Sequence, residues 1–575
     1  MRNIPLSTPR RRESGVHHYV DRLQRASQST CVRVLIDRDL RGLPKRSLNF
    51  IPSTLTSYFQ PKLKYVMLLA RFCLRKAGRR ACDYARPYSL AVNARRHNHH
   101  NAIVAEAPHH QSQDGGYAPG PLAGKPIAIK DNIVTRDLPT TAASKALSGF
   151  TSPFDATVVR LLREHGALVS SKTNLDEFGM GSHSQHSHFG PVTSPFSRDG
   201  QPLSAGGSSG GSAVAVATGQ AWAALGTDTG GSVRLPAAYT GVVGFKPSYG
   251  LLSRWGVIQY ANSLDTVGVL ARRVKDARRV FRSLNAWCKE DPTSLPMSLR
   301  ERLKGGSSGQ KKRLRVGVPA EYNIEELSPP VRAAYRRTLS SLQSAGHTLY
   351  AISLPSTRRA LSAYYILAPA EASSNLAKYD GVRYGHRTSG PDAAPTTQNL
   401  PLYTQTRGEA FGAEVQRRIL LGAYTLSSEA LDNYFIQAQR VRRLVQRDFD
   451  RAFARPNPLH VDHDNGGSTA VGSREESNEA DVVDIILTPT APTLPPTLEE
   501  VQRQSPVESY MNDVFTVPAS LAGLPAVSVP VSLDTEERRG LGDGDVESVG
   551  LQCVGQFGDD EMALSAAEII EGLQG

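Results

Sequence analysis

Cysteine is scarce in this chain. Five occur in 575 residues (Cys31, Cys73, Cys82, Cys288 and Cys553), with no CxxC pair and no metal-ligand spacing. That excludes a disulfide framework and a zinc ribbon, and it suits a reducing compartment. Long apolar runs are also missing. The longest candidate, Tyr65–Leu74, spans ten residues and already contains Arg71. A membrane helix needs ~18, so no membrane contact is expected. There is no GxxxxGK[ST] string and no carboxylate cluster suited to Mg²⁺, so nucleotide activation is not expected within this chain. Acids are nearly absent from the first hundred residues, which hold 21 Lys+Arg against five Asp+Glu, a net of +16. The other 475 residues hold 46 bases and 49 acids, a net of −3. The basic surplus therefore belongs to the N-terminal segment, and an RNA-binding body loses its electrostatic ground.

Residues 1–85 are rich in Arg and Ser and broken by Pro5, Pro9, Pro44, Pro52 and Pro61. That is the composition of a mitochondrial transit segment, with a basic arm or a mis-predicted exon as alternatives. Residues 86–575 are expected to form one large domain. Pro126–Ile129 predicts a short buried strand. Asp155 predicts an N-cap for a helix through Val158, Val159, Leu161 and Leu162, which Gly166 stops. Ala167–Ser170 then predicts another strand. Strand, helix, strand implies an α/β fold with partly parallel strands. Two inserts, near 303–313 and 457–481, are low in complexity and predict solvated loops.

The most unusual stretch runs from Gly206 to Gly250. It opens Gly206-Gly207-Ser208-Ser209-Gly210-Gly211-Ser212, continues in small residues, and reaches Gly226-Thr227-Asp228-Thr229-Gly230-Gly231-Ser232-Val233-Arg234. The GGSSG string recurs at Gly305, where it leads into charged residues and predicts a linker. The first copy leads into small apolar side chains, which permit a closely packed helix. Gly206-x-Ser208-x-Gly210 matches a nucleophile elbow, but Asp199–Leu203 before it predicts no strand, which the elbow requires. Asp228-Thr229-Gly230 matches an aspartic-protease motif, but no second D-[ST]-G supplies the paired carboxylate.

Spacing favours Ser208 and Ser232 as partners. A helix of roughly ten residues advances ~15 Å, and an extended return of five or six covers ~16–20 Å. The two serines can thus meet at one end of a sheet, each on a glycine-rich turn whose N–H groups suit an oxyanion. His183, His186 and His188 share a polar loop without acidic or Cys partners at ligand spacing, so no metal is expected. Lysine is the alternative base. Lys130 ends the first strand, where a plain surface lysine remains the competing reading.

Gly124–Asn132, Gly206–Ser212 and Gly226–Arg234, long motifs in order, resemble the amidase signature family. The resemblance implies a single large α/β/α domain with a mixed central sheet. It also implies Lys130 as base, Ser208 as relay with a cis peptide bond, and Ser232 as the acylated nucleophile. N–H groups at Thr229, Gly230, Gly231 and Ser232 would form the oxyanion hole. A free lysine, with pKa near ~10.4, is useless as a base at pH 7, but burial can lower it by ~3–5 units.

Further blocks narrow the likeness: Tyr364–Ala368, Glu371–Leu376, Tyr379–Gly385, Gln416–Gly422 and Tyr510–Asp513. These are similar to the A-type branch of the glutamyl-tRNA(Gln) amidotransferases, over roughly residues 90–575. That branch implies hydrolysis of free glutamine through a Ser232 acyl-enzyme, with Arg418 on the carboxylate, Asp513 on the α-amino group and Tyr364 against the substrate. Arg417 is the adjacent competitor of Arg418. It further implies a mitochondrial-matrix complex with a B-type subunit and a small third subunit of C or F type. No cofactor is expected in this chain. ATP and Mg²⁺ would act in the B-type partner, which would also bind most of the Glu-tRNA(Gln) and convert it to Gln-tRNA(Gln). The rival reading is a stand-alone amidase for small or apolar amides. A non-catalytic scaffold conflicts with the complete Lys-Ser-Ser set.

Overall fold

In a computed structural model, residues 99–107, 119–305, 313–389, 402–460 and 482–574 are described. The expected transit segment at 1–85 and most of both inserts lie outside them. Thirteen strands are found among these residues: β1 (Ile103–Glu106), β2 (Pro126–Lys130), β3 (Leu168–Thr173), β4 (Thr193–Arg198), β5 (Gln201–Ser204), β6 (Ala223–Asp228), β7 (Val243–Lys246), β8 (Thr266–Ala271), β9 (Arg315–Pro319), β10 (Thr348–Ile352), β11 (Ile485–Pro489), β12 (Ala526–Ser532) and β13 (Ser548–Val554). Eleven of them make one sheet in the order β1-β3-β2-β6-β8-β7-β12-β13-β11-β9-β10. β3-β2-β6 and β11-β9-β10 pair in parallel, and the strands between run antiparallel. The sheet is thus mixed, as the resemblance implied.

Strand alternation sends successive side chains to opposite faces, and both faces of β2 are covered. Ile127 and Ile129 join a large core that includes Val158, Val159 and Leu162 of α1 (Thr157–Glu164). Ala128 joins a second core with Ala213 and Val216 of α2 (Gly210–Ala217) and Ala237 of α3 (Arg234–Thr240). The result is three layers, α/β/α. The small residues of α2 are a packing requirement: a side chain at Gly211 would collide with the Asn174 carbonyl.

Two local expectations need correction. The N-cap of α1 is Ala156, and no side chain caps it. Asp155 lies one residue too early; its carboxylate accepts from the Arg136 N–H at 3.0 Å and pairs with Arg163 Nε at 3.2 Å. Gly166 does follow the helix end, at φ +84°. The segment before Gly206 predicts no strand, yet β5 is one. It forms a separate hairpin with β4, and Asp199 and Gly200 turn it at φ +51° and +75°. Asp-Gly is the residue pair that such a two-residue turn favours. Because β5 lies outside the main sheet, the hairpin does not create a nucleophile elbow.

Candidate active site

β2 and β6 are parallel neighbours, so their carboxyl ends lie side by side. β2 ends in Lys130, and β6 ends in Asp228 and the turn to α3. In open α/β sheets this edge is where ligands bind.

Lys130 is fully buried. Its Nζ donates to Ser208 Oγ at 2.8 Å, to Ser209 Oγ at 2.8 Å and to the Thr227 carbonyl at 3.3 Å. Desolvation brings its pKa down from the ordinary lysine value to about 7, against the pull of Asp176, Asp228 and Asp265. The surface-lysine reading is therefore excluded. Ser208 precedes α2, and its bond to Gly207 is cis. The Ser209 N–H donates to the Ser232 carbonyl at 3.1 Å, which joins the two serine turns. Ser232 is 9 % exposed, and its hydroxyl makes no hydrogen bond among the described residues.

The turn Thr229–Ser232 is braced from outside. Thr229 Oγ1 donates to Asp265 at 2.8 Å, and Thr516 Oγ1 donates to the Gly230 carbonyl at 2.6 Å. Gly231 sits at φ +153°, where a side chain would collide with Thr516. The Asp228 carboxylate accepts from the Val233 N–H and from Arg234 Nε and Nη2. Fully buried Arg234 also donates to the Thr516 carbonyl, Gln552 and Ser520. The carbonyls of Gly230, Gly231 and Ser232 accept from Thr516 Oγ1, the Leu235 N–H and the Ser209 N–H, while the N–H groups of the same three residues have no acceptor among the described residues. Free donors on one turn suit a developing oxyanion.

A second group faces this turn. Helix α4 (Ala360–Asn375) carries Tyr364 and Tyr365, and helix α5 (Ala413–Thr425) carries Arg418. A side chain at Gly230 would meet Tyr364 Cζ at 2.6 Å, so Tyr364 lies against the turn. Arg418 is buried. Its Nε donates to Glu414 at 2.8 Å and its Nη1 to Tyr260 OH at 2.6 Å. Its guanidinium lies over the rings of Tyr260, Tyr365 and Tyr510. Arg417 is half-exposed and, among the described residues, pairs only with Glu414. Asp513 is buried and accepts from Ser182 Oγ at 2.8 Å and Tyr365 OH at 3.0 Å. Its Oδ1 is 3.2 Å from where a Gly231 Cβ would stand. Burial pushes its pKa up to about 6. Tyr365 thus touches both the cation and the carboxylate. Tyr260, Tyr365, Tyr510, Ser182 and Glu414 carry no role that the sequence alone assigns. Tyr365 and Tyr510 stand inside blocks that narrow the likeness, which was the available signal. The other three are single residues in unrelated segments.

The histidine loop is not merely a polar one. His183 is buried, bonded to Ser204 Oγ at 2.9 Å and to Asn512 Nδ2 at 3.2 Å, and desolvation lowers its pKa to about 4. It supports the residue beside Asp513 as a neutral ring. No group of His, Cys, Asp or Glu among the described residues could hold a metal ion, and no described helix is long and apolar enough to cross a membrane.

The family model described as Amidase matches residues 81–564. The A-type subunit of the mitochondrial glutamyl-tRNA(Gln) amidotransferase of Ajellomyces capsulatus is 57 % identical over 483 residues, which cover 80 % of this chain and 92 % of that protein. The protein of the same description from Emericella nidulans is 57 % identical over 78 % of this chain and 89 % of its own. Among solved structures, the A-type subunit of the glutamyl-tRNA(Gln) amidotransferase of Thermotoga maritima superposes with a TM-score of 0.61 at 33 % identity, covering 82 % of this chain and 87 % of that one.

Proposed function

The chain belongs to the amidase family, and we propose that Lys130, Ser208 and Ser232 are the proton path and nucleophile of a glutaminase. It serves as the glutamine-hydrolysing component of a heteromeric glutamyl-tRNA(Gln) amidotransferase in the mitochondrion. One observation supports the choice of substrate above others: Tyr365 bonds a buried carboxylate through its hydroxyl and underlies a buried guanidinium with its ring. A zwitterionic amino acid requires one cation and one anion in a single pocket, and a planar guanidinium suits its carboxylate. A neutral-amide hydrolase has no use for that pair.

In this reading Arg418 takes the glutamine carboxylate, Asp513 its α-ammonium group, and Tyr364 the side of the substrate near the turn. Ser232 Oγ attacks the side-chain amide carbon and gives its proton to Ser208, which passes its own to neutral Lys130. The N–H groups at Thr229, Gly230, Gly231 and Ser232 receive the oxyanion. The proton returns to the leaving nitrogen, ammonia departs, and water cleaves the γ-glutamyl ester to glutamate. No cofactor is needed for these steps. The B-type partner would use ATP and Mg²⁺ to activate Glu-tRNA(Gln), hold most of the tRNA and accept the ammonia in the matrix. A small C- or F-type component would complete the assembly.

The test is to co-express the chain with its partner subunits and supply [¹⁵N-amide]glutamine. Label is expected in Gln-tRNA(Gln). Unlabelled product, or hydrolysis surviving Ser232→Ala, would overturn the reading.

A further inference from the structure

We infer that Glu177 is a positioning residue for the substrate carboxylate, tying the helix that carries Arg418 to the segment that supports Ser208. The inference rests on the glutaminase reading and deepens it.

Glu177 lies on a turn after β3, 5 % exposed. Its Oε2 accepts from the Gly412 N–H at 2.8 Å, and its Oε1 accepts from Ser144 Oγ at 2.5 Å. Gly412 is the N-cap of α5, and a side chain there would collide with the Glu177 carboxylate. The first N–H groups of a helix have no partner within it, and they favour an anion. Here an acidic side chain from 235 residues away supplies that partner. Arg418 stands six residues beyond Gly412, ~9 Å along the axis at ~1.5 Å per residue. A displaced helix start is therefore carried to the guanidinium.

The neighbours of Glu177 make the connection two-sided. The Asp176 N–H donates to the Ser208 carbonyl at 3.3 Å, and the Asp176 carboxylate accepts from the Ser184 and His186 N–H groups. Phe178, at φ +53°, packs on Phe411 with centroids 5.8 Å apart. Three consecutive residues thus contact the backbone of the relay serine, the start of α5 and the residue before that start. Glu177 does not contact the proposed substrate site. It acts by fixing where Arg418 stands relative to Ser232.

Substitution separates this role from mere packing. Gln at 177 can accept from the Gly412 N–H and donate to Ser144 Oγ, whose hydroxyl can then turn to the Ala410 carbonyl 3.3 Å away. Ala removes the acceptor from the Gly412 N–H and frees the start of α5 from this tie. The co-expressed complex is measured with wild-type, Glu177→Gln and Glu177→Ala chains. The readouts are KM and kcat for glutamine and the acylation of Ser232 by propionamide, which has no α-carboxylate. Glu177→Ala is expected to raise KM for glutamine by about tenfold or more, with kcat and the propionamide rate within about threefold. Glu177→Gln should restore KM. In an Arg418→Ala background, Glu177→Ala should raise KM no further, because its effect passes through that guanidinium. Equal losses on both amides, an unchanged KM in Glu177→Ala, or full additivity with Arg418→Ala would overturn the inference. A wild-type complex that acylates propionamide but does not hydrolyse glutamine would instead overturn the glutaminase reading itself.

Discussion

Arg418→Ala is the most informative single change. Arg418 is buried, bonded to Glu414 and Tyr260, and enclosed by three aromatic rings. Its removal has two consequences. The glutamine carboxylate loses a charge-assisted hydrogen bond, a loss of about 1.5–3 kcal/mol. Among the described residues, Glu414 then keeps half-exposed Arg417 and the Tyr510 hydroxyl as partners, so a second carboxylate is less well neutralised near the substrate's own. Breaking a buried pair typically costs about 3–5 kcal/mol. The two effects describe overlapping losses and do not add. At about 1.4 kcal/mol per decade, kcat/KM for glutamine should fall on the order of 10²- to 10³-fold. Acylation of Ser232 by a small neutral amide should persist, because the proton path is untouched. Lysine should rescue poorly: it offers a point charge where a planar fork is held among rings. Parallel assays of glutamine and propionamide on the purified complex decide the matter. A glutamine kcat/KM within about threefold of wild type, or equal losses on both substrates, would refute the pocket.

Three other outcomes are expected. Ser232→Ala should abolish both glutamine hydrolysis and covalent labelling by a glutamine-analogue electrophile, while Lys130→Ala and Ser208→Ala each cost several orders of magnitude because the proton path acts as a unit; near-normal turnover by Lys130→Ala would exclude lysine as the base. The pH profile should fall on the acid side, because both working forms are deprotonated: neutral Lys130 is lost as pH drops through about 7 and charged Asp513 as it drops through about 6, and Asp513→Asn should remove the lower step in a stopped-flow pH series. Deleting residues 1–85 should leave glutaminase activity intact while fluorescence imaging shows the protein outside the mitochondrion; loss of activity would place that segment within the working enzyme.

What could be read from the sequence was contiguous. Lys130, Ser208 and the Thr229–Ser232 turn sit in unbroken motifs whose glycine content has a backbone reason. The strand-helix-strand alternation was contiguous too and pointed to an α/β fold with partly parallel strands, while the three-layer order came from the resemblance. The hairpin β4–β5 was missed because its strands are short and half-exposed, although Asp199-Gly200 carried the turn signal. Asp155 was misplaced by one residue, since its side chain serves Arg136 and Arg163 and not the helix start. Tyr260 and Tyr510 could not be connected to Arg418 without the fold, because the three lie in separate segments that only packing brings together. Glu177 was invisible for a related reason: the partner that ties it to α5 is a backbone N–H, which no side-chain pattern records.

The brace beneath the nucleophile turn reaches far along the chain. Arg234, which holds Asp228 and hence the turn, is itself held by Gln552 on β13. β13 also lies between β12 and β11 in the sheet. A nascent or partly imported polypeptide already contains every residue of the proposed proton path long before this strand exists. Without it, the buried guanidinium loses one of its acceptors and β12 loses the strand that joins it to β11. A chain ending before β13 is therefore expected to hydrolyse no glutamine and to release no ammonia, which an ammonia assay on chains truncated before Ser548 checks.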